Sequence, residues 1–224
     1  MPAPFSLAVF DIDGTLIDSQ HHIHAAMTAA FDAVGLAAPS LAQVRSIVGL
    51  SLPVAIARLA PEGAAIADLV EAYKTSFADR RALDAPPLYE GALGCLDRLA
   101  EHEAMLLGVA TGKSRRGLDM MIEMHALHGR FSTLQTADGN PSKPHPGMLH
   151  RALAETGADP GRAIMIGDTG FDMAMARAAG VQAWGVSWGY HAVATLHEAG
   201  AHRVFADFAS LTEALCLWHQ DCAA

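Results

Sequence analysis

The sequence predicts an α/β fold in which a parallel sheet is interrupted, after its first strand, by a helical subdomain. Three observations support this prediction. Short apolar runs alternate with helical patterns, most of these runs are apolar on both faces, and one long segment contains helical patterns alone. The 224 residues, 51% of them hydrophobic, are ample for a core and suit one domain or one domain with an insert.

Six short apolar runs are predicted as strands, because parallel strands that are covered by helices on both faces are apolar throughout. They are SLAVF (6–10), MLLGVA (105–110), FSTLQT (131–136), AIMIG (163–167), VQAWGV (181–186) and RVFA (203–206). Helical patterns between and after them occupy 91–102, 114–124, 146–157, 171–179 and 208–218. Strands that alternate with helices in this way imply a parallel sheet with right-handed crossovers.

The alternation stops from about residue 16 to residue 87, where only helical patterns occur, among them HHIHAAMTAAFDAV and AIADLVEAYKTSFADRRAL. The double proline of DAPPLYEG (84–91) is predicted to lead back to the sheet. We therefore predict a core of residues 1–15 and 88–224 and a helical cap of residues 16–87. Both linkers then lie at the carboxyl end of the first strand, where open α/β sheets bind ligands, so that the helices are placed to act as a lid.

Composition narrows the possible partners. The net charge of −9 and the lack of a basic run predict that the protein binds neither nucleic acid nor an anionic membrane. Cys95, Cys216 and Cys222 are an odd, widely spaced set, which indicates free thiols. The beginning, MPAPFSLAVFD, lacks the features of a signal peptide, and no apolar stretch reaches the ~20 residues of a membrane-spanning helix. We expect a cytoplasmic protein that is a monomer or a homodimer.

Polar side chains follow four of the predicted strands, at the end where the ligand crevice is expected. They are Asp11 and Asp13, Thr111, Lys143, and Asp168 and Asp172. Clustered carboxylates repel one another unless a proton or a cation holds them, and Mg²⁺ is the natural cation for oxygen ligands. One aspartate is then available as a nucleophile that forms an aspartyl-phosphate, and its neighbour two residues on as an acid and base. The lysine and the hydroxyl would neutralise and orient the phosphoryl group.

This set closely resembles the haloacid dehalogenase superfamily of phosphatases. The four stretches DIDGTLIDS, ATGKS, SKPHP and GDTGFD match the family's four motifs in the family's order, and the resemblance covers essentially the whole chain. It implies a Rossmann-like core, a type 1 helical cap and dependence on Mg²⁺. Because Asp13 is present, and dehalogenase members lack the second aspartate, the resemblance favours phosphoryl transfer.

The resemblance also implies a role for each residue. Asp11 is the implied nucleophile and Asp13 the implied general acid and base, whose carbonyl oxygen is also a metal ligand. Asp11 and Asp168 would ligate Mg²⁺ directly, and Asp172 would help through water or by holding Lys143. The implied phosphate-binding residues are Thr111, Gly112 and Lys143. Two alternatives remain at this point, since Thr111 could also cap the following helix and Asp172 could favour the first turn of its own helix.

The segments VGLSL, PPLYEG and VSWGYHAVATLHEAGA look most like the phosphoglycolate phosphatase-like subgroup, which implies a small phosphorylated metabolite as substrate. A sugar-phosphate phosphatase, a pyrophosphatase and a β-phosphoglucomutase-like enzyme are the alternatives. In VGLSLPVA, Leu52 occupies the stretch where mutases carry an arginine, which disfavours a mutase unless Arg45 or Arg58 substitutes. A binding module that retains only the fold is disfavoured because no catalytic position is replaced.

The remaining polar and aromatic residues near the predicted crevice receive plainer interpretations. His21, His22 and His24 are predicted to be polar residues of the first cap helix near the cleft mouth, and the sequence leaves open whether any of them contacts substrate. Trp188 and Tyr190 are predicted to pack against the core or a neighbouring element.

Overall fold

The structure, a computed structural model, describes residues 5–83 and 85–223. Its centre is a six-stranded, fully parallel sheet with the strand order β3-β2-β1-β4-β5-β6. The strands are β1 (Ser6–Phe10), β2 (Met105–Ala110), β3 (Thr133–Gln135), β4 (Ala163–Gly167), β5 (Gln182–Val186) and β6 (Arg203–Phe205). The predicted α/β fold and its parallel, Rossmann-like sheet are therefore confirmed, and all six strands lie where the apolar runs predict them.

The central strands β1, β2 and β4 are almost entirely apolar, as expected where both faces of a sheet are covered. Side chains of β1 alternate between the two sides, so that Ala8 and Phe10 join one hydrophobic cluster while Leu7 and Val9 join the other. Every residue of β1 is buried. This two-sided burial places β1 at the centre of the molecule, and the residues that follow it enter the middle of the carboxyl edge.

The strand register aligns the carboxyl ends of the three central strands. Phe10 pairs with Val109 of β2 on one side and with Ile166 of β4 on the other. The residues that come next on each strand therefore meet at one edge of the sheet. Asp11 remains tied to this edge through its backbone N–H, which donates to the carbonyl oxygen of Ile166 at 2.9 Å.

Six helices of the described core flank the sheet. They are α5 (Ala92–Ala100), α6 (Arg115–Met124), α7 (Gly147–Thr156), α8 (Gly170–Ala179), α9 (Val193–Glu198) and α10 (Phe208–Ala223). The sequence patterns predict five of them but not α9. That helix has six residues and buries only Leu196, so it carries too little apolar periodicity to be recognised.

Between β1 and α5 the described residues form four helices, which we call the helical insert. They are α1 (Gln20–Ala33), α2 (Leu41–Arg45), α3 (Leu52–Leu59) and α4 (Ile66–Leu83). The insert has a hydrophobic cluster of its own, with Met27, Phe31 and Ile56 almost completely buried. The predicted domain limits include residues 1–4, 84 and 224, which lie outside the described residues.

The two segments that join the helical insert to the sheet run side by side. The backbone N–H of Asp18 donates to Pro87 at 2.9 Å, and the backbone N–H of Tyr89 donates to Leu16 at 2.9 Å. Ile17 and Leu88 form an antiparallel bridge between them. Both segments therefore cross the carboxyl edge of the sheet a few residues after Asp11.

Two further predictions concern the chain as a whole. The three cysteines, Cys95, Cys216 and Cys222, are free thiols. Across the described ranges, no helix combines the length and apolar character that crossing a membrane requires.

Candidate active site

Asp11 directly follows β1 at the carboxyl edge of the sheet and is only 1% exposed. Neither of its carboxylate oxygens has a hydrogen-bond partner of good geometry among the described residues, although Lys143 Nζ lies 3.0 Å from Oδ1. A buried carboxylate without hydrogen bonds is costly, because burial removes its water without replacing it. Such a group is available to a cation or to an incoming electrophile.

The tight turn after β1 brings a second carboxylate close to Asp11. Gly14 adopts φ +84°, and its N–H donates to the carbonyl oxygen of Ile17 at 2.8 Å. A Cβ at this position would lie 2.2 Å from Asp168 Oδ2. Glycine is therefore required twice, for the left-handed backbone and for the close approach of Asp168.

Asp11, Asp168 and Asp172 each offer an oxygen within 4.8 Å of the others, and all three are buried. Asp168 is fixed by two donors, the Thr15 hydroxyl at 3.1 Å from Oδ1 and the Tyr190 backbone N–H at 2.8 Å from Oδ2. These are carboxylate oxygens alone, without nitrogen or sulfur, and their crowding creates a need for positive charge. The donor set therefore fits a hard divalent cation, and the cluster could hold one.

Lys143 is the positive side chain at the centre of this cluster. It is 2% exposed, and its Nζ lies 2.6 Å from Asp172 Oδ1 and 3.0 Å from Asp11 Oδ1. Burial alone would lower the pKa of Lys143, but the charges of Asp11 and Asp172 raise it above its ordinary value. The ammonium group therefore stays charged at neutral pH.

The two roles considered for Asp172 coexist. Its Oδ1 accepts from Lys143, and its Oδ2 accepts from the backbone N–H of Thr169 at 3.1 Å and from the Thr169 hydroxyl at 2.7 Å. Thr169 is the N-cap residue of α8, and the pair forms a capping box. The start of α8 thus holds the carboxylate that holds Lys143.

Burial and crowding of the carboxylates raise the pKa values of two of them, Asp11 and Asp168. Burial raises the pKa of Asp11 to about 7, and the charges of Asp172 and Asp13 add to the increase while Lys143 opposes it. Burial likewise raises the pKa of Asp168 well above its usual range, with the charges of Asp172 and Asp11 contributing. Without a cation, a proton therefore competes for the Asp11 carboxylate near neutral pH.

Asp13 lies apart from the cluster with different partners. The Ser19 hydroxyl donates to its Oδ1, and Lys113 Nζ lies 2.9 Å from its Oδ2. Lys113 also sits over the ring of Phe77 in the helical insert, 5.3 Å from the ring centroid. The sequence interpretation did not single out Lys113, although ATGKS places it two residues after Thr111, in the same crevice.

Thr111 and Gly112 line the crevice at the end of β2. The N–H of Thr111 donates to Gln135 at 3.0 Å, and its hydroxyl accepts from the N–H of Lys113 at 3.3 Å. The N-cap of α6 is Ser114, so the alternative in which Thr111 caps that helix is wrong. Thr111 therefore shapes the loop before α6 and leaves capping to its neighbour.

The helical insert closes over this edge of the sheet. A Cβ on Gly112 would lie 2.4 Å from the carbonyl oxygen of Leu50, so the insert backbone rests directly on the loop after β2. The N–H of Ser51 donates to the Ser142 hydroxyl at 2.9 Å, next to Lys143. Through these contacts the insert backbone lies against the loop after β2 and against the loop that carries Lys143.

The loop after β5 completes the site, and sequence reasoning missed its role. Trp188 packs on Phe208 as predicted, at 4.5 Å between ring centroids, but its indole N–H also donates to the carbonyl oxygen of Thr15 at 3.0 Å. Tyr190 donates its backbone N–H to Asp168. The sequence signal that could have identified this loop is its place after β5, because β5 neighbours β4 and the two strands end at the same edge of the sheet.

The first helix of the insert carries the three histidines. His24 Nε2 lies 3.1 Å from the carbonyl oxygen of Pro39, which holds the ring within the insert. His21 is exposed at the start of the helix. The two arginines considered for a second phosphate are also engaged, Arg45 with the Gln20 side-chain oxygen and Arg58 over the Phe171 ring at 5.2 Å.

Comparison with known proteins agrees with this geometry. A family model described as haloacid dehalogenase-like hydrolase matches residues 8–186. The Dickeya dadantii protein named "Probable phosphatase IndB" is 33% identical over 83% of this chain and 82% of its own length. A phosphoglycolate phosphatase of Agrobacterium fabrum is 31% identical over 93% of this chain and 91% of its own length.

A solved structure gives the same result for the fold. The haloacid dehalogenase-like hydrolase SP0104 of Streptococcus pneumoniae superposes with a TM-score of 0.83 at 26% identity, over 94% of this chain and 98% of its own. Since the family model covers most of the chain, including the insert and all four carboxylates, this chain belongs to the haloacid dehalogenase-like hydrolase family and is a phosphatase.

Proposed function

We propose that the protein hydrolyses a small phosphate monoester similar to 2-phosphoglycolate, with Mg²⁺ as cofactor and an aspartyl-phosphate on Asp11 as intermediate. The observation that carries this proposal is the buried Asp11 carboxylate, whose oxygens lack hydrogen bonds while Lys143 Nζ lies 3.0 Å away. An uncompensated carboxylate beside a fixed ammonium group is suited to attack a phosphoryl group whose negative charge the lysine attracts.

Three residues would hold the metal ion. Asp11 and Asp168 would supply carboxylate oxygens, and Asp13 its backbone carbonyl oxygen, while Asp172 would act by holding Lys143. When bound, Mg²⁺ would neutralise charge on the carboxylates and on the phosphoryl oxygens. Burial is the main cause of the raised pKa of Asp11, which reflects the free energy needed to keep its carboxylate ionised. A bound cation would offset that free energy.

The chain's own residues account for each step. Lys143, the Thr111 hydroxyl and the Gly112 N–H orient the phosphoryl group. An Asp11 oxygen attacks phosphorus while the bond to the leaving oxygen breaks, and Asp13 protonates that oxygen. Asp13 then takes a proton from a water molecule, which attacks phosphorus, breaks the bond to Asp11 and releases phosphate. The protonation states of Asp11 and Asp13 are thereby restored.

The helical insert is proposed to be the cap, with residues 1–15 and 88–224 as the core and residues 16–87 as the cap. The contact of Leu50 with Gly112 and the hydrogen bond from Ser51 to Ser142 support this role. Water that reached the crevice freely would solvate the charged groups and weaken their action on the phosphoryl group. Substrate entry therefore requires the insert to move away from the sheet.

The substrate class rests on three lines of support. The Agrobacterium fabrum relative is named a phosphoglycolate phosphatase, and the crevice is covered closely by the insert. Arg45 bonds the Gln20 side-chain oxygen and Arg58 lies over the Phe171 ring, and Leu52 follows the loop that covers the crevice, so both arginines considered for a second phosphate are engaged elsewhere. This favours a single phosphate over a pyrophosphate or a hexose bisphosphate.

A phosphate-release assay tests the proposal on 2-phosphoglycolate, glucose 6-phosphate, β-glucose 1-phosphate and pyrophosphate. We expect the highest kcat/KM with 2-phosphoglycolate, loss of activity with EDTA and recovery with Mg²⁺. Asp11→Asn should form no acid-stable phosphoenzyme and no product. A higher kcat/KM for pyrophosphate or a hexose phosphate would refute the substrate class, and turnover by Asp11→Asn would refute the nucleophile.

A further inference from the structure

The loop after β5 contacts both the turn after β1 and Asp168, and the proposed mechanism leaves the loop without a role. Trp188 donates to the carbonyl oxygen of Thr15 in the turn after β1. A Cβ on Gly189 would lie 2.2 Å from Asp168 Cβ, so the loop backbone is packed directly against that carboxylate side chain. Tyr190 donates its backbone N–H to Asp168 Oδ2 at 2.8 Å. The loop is therefore anchored to the core beside the carboxylate cluster of Asp11, Asp168 and Asp172.

The side chain of Tyr190 points the other way, into the helical insert. Its ring packs against the insert's hydrophobic cluster. Its hydroxyl oxygen accepts the backbone N–H of Ser19, the N-cap residue of α1, at 3.1 Å and lies 3.4 Å from the Ser19 hydroxyl. One residue thus joins the core to the first helix of the insert.

A count of donors fixes the direction of the contacts. The Ser19 hydroxyl has one proton, and it is donated to Asp13 Oδ1. The 3.4 Å contact with the Ser19 oxygen therefore needs the Tyr190 hydroxyl proton, for which the Tyr89 side chain is a second partner. The resulting chain runs from the Tyr190 hydroxyl through the Ser19 hydroxyl to the Asp13 carboxylate.

We propose that Tyr190 is a positioning residue that holds the Asp13 carboxylate through Ser19, so that Asp13 is aimed at the leaving oxygen only when the insert is closed. This inference rests on the proposed role of Asp13 as the proton donor. The hydroxyl of Tyr190 contacts Ser19, and among the described residues no hydrogen bond joins it to Asp13 directly. Its effect is to make the start of α1, and with it the Ser19 hydroxyl, adopt one position relative to the core.

The proposal predicts a dependence on the leaving group. A misaimed proton donor slows the departure of a basic leaving oxygen, whereas a leaving group that departs readily as an anion needs little protonation. The variant Tyr190→Phe removes only the hydroxyl and keeps the ring and the backbone N–H to Asp168. We expect kcat/KM to fall about tenfold for phenyl phosphate and by no more than about twofold for p-nitrophenyl phosphate.

Three variants control this experiment. Asp13→Asn should show the same preference in a stronger form. Ser19→Ala should resemble Tyr190→Phe, and the double variant should lose less than about twofold beyond Ser19→Ala, because both changes break the same chain.

The outcomes separate the two proposals. Equal losses on both substrates in Tyr190→Phe and Ser19→Ala, with discrimination retained in Asp13→Asn, would overturn the role of Tyr190 alone. Loss of discrimination in Asp13→Asn would overturn the proposed proton donor and the role of Tyr190 with it. Thermal unfolding identifies a misfolded Tyr190→Phe protein, in which case Ser19→Ala decides the question.

Discussion

Lys143 and Asp172 form an ion pair of 2.6 Å in which both side chains are fully buried. The charge of Lys143 is shared with Asp11, so a single ammonium group serves two carboxylates. Removing one partner from such a cluster leaves charge without compensation in a medium of low polarity. The charges of the cluster therefore compensate one another, and replacing any single one of these side chains should destabilise the protein.

Replacement of Lys143 should expose this dependence. Lys143→Met is expected to lower the free energy of unfolding by about 3 kcal/mol at pH 8, because the remaining carboxylates must either stay ionised without a cation or take up protons against the pH of the solution. At pH 5 the loss should be smaller, since Asp11, whose pKa is already about 7 with the lysine present, takes up a proton. Denaturant unfolding without Mg²⁺ at the two pH values measures the difference.

Lys74 provides the matched control for that experiment. It forms an ion pair with Glu71 on α4, and its side chain is 57% exposed. Lys74→Met should change the free energy of unfolding by less than about 0.5 kcal/mol at either pH. A Lys143→Met protein as stable as Lys74→Met at pH 8 would contradict the description of a shared buried charge.

Metal binding should be linked to protons near neutral pH. Burial raises the pKa of metal-free Asp11 from 3.8 to about 7, so its ionisation costs stability as pH rises through that interval. A cation needs the ionised form, so the apparent affinity for Mg²⁺ should fall about tenfold per pH unit below pH 7. Calorimetry at pH 6 and pH 8, in buffers of different ionisation enthalpy, measures the affinity and the protons released.

The Asp11→Asn variant separates this linkage from other effects of pH. Its side chain cannot bind the competing proton, so the pH dependence of any remaining Mg²⁺ binding should be shallower. Equal affinities at pH 6 and pH 8 in the unmodified protein would show that Asp11 does not exchange a proton for the metal.

A methyl group at Gly14 should disrupt the carboxylate cluster. The Cβ of Gly14→Ala would lie 2.2 Å from Asp168 Oδ2, on a backbone with φ +84°. The strained backbone costs about 1 kcal/mol, and displacement of Asp168 should weaken Mg²⁺ binding at least about tenfold. The Mg²⁺-dependent increase in Tm measures the second effect.

Gly35 isolates the contribution of the backbone. It has φ +72° and nothing within 4 Å of a Cβ position, so Gly35→Ala carries similar strain without the clash. We expect both variants to lose stability but only Gly14→Ala to lose its response to Mg²⁺. A similar response in both would show that Asp168 can move without consequence.

Gly112 tests whether the insert rests on the sheet. The Cβ of Gly112→Ala would lie 2.4 Å from Leu50 O, which should push the insert outward and increase hydrogen exchange about tenfold at residues 49–51. Gly94→Ala in α5, where a Cβ meets nothing within 4 Å, should leave exchange there unchanged. Unaltered exchange in Gly112→Ala would mean that the contact does not hold the insert.

The fold was predictable from sequence because its signals are local. Each strand is a short, two-sided apolar run, and the carboxyl ends of parallel strands must share an edge, which brings Asp11, Lys143 and Asp168 together without knowledge of any contact. The limits of the edge strands were less certain. β3 begins at Thr133 where the apolar run begins at residue 131, because an edge strand is paired on one side only.

The partners of Asp13 could not be predicted in the same way. Lys113 and Ser19 reach it from different strand ends, and Tyr190 reaches Ser19 across 171 positions in the chain. These contacts depend on how far the insert lies over the sheet, which no periodicity encodes. The sequence predicts which edge is functional, whereas packing between the two parts decides which side chains meet there.

The paired segments that lead into and out of the helical insert have a consequence for how this protein could diversify. They leave and rejoin the sheet as neighbours, tied by the bonds of Asp18 to Pro87 and of Tyr89 to Leu16. Any compact unit whose two ends lie side by side could be exchanged at this junction without altering a strand of the sheet. Evolution, or a protein engineer, can therefore replace the insert and change substrate selectivity while the sheet and its catalytic residues stay the same.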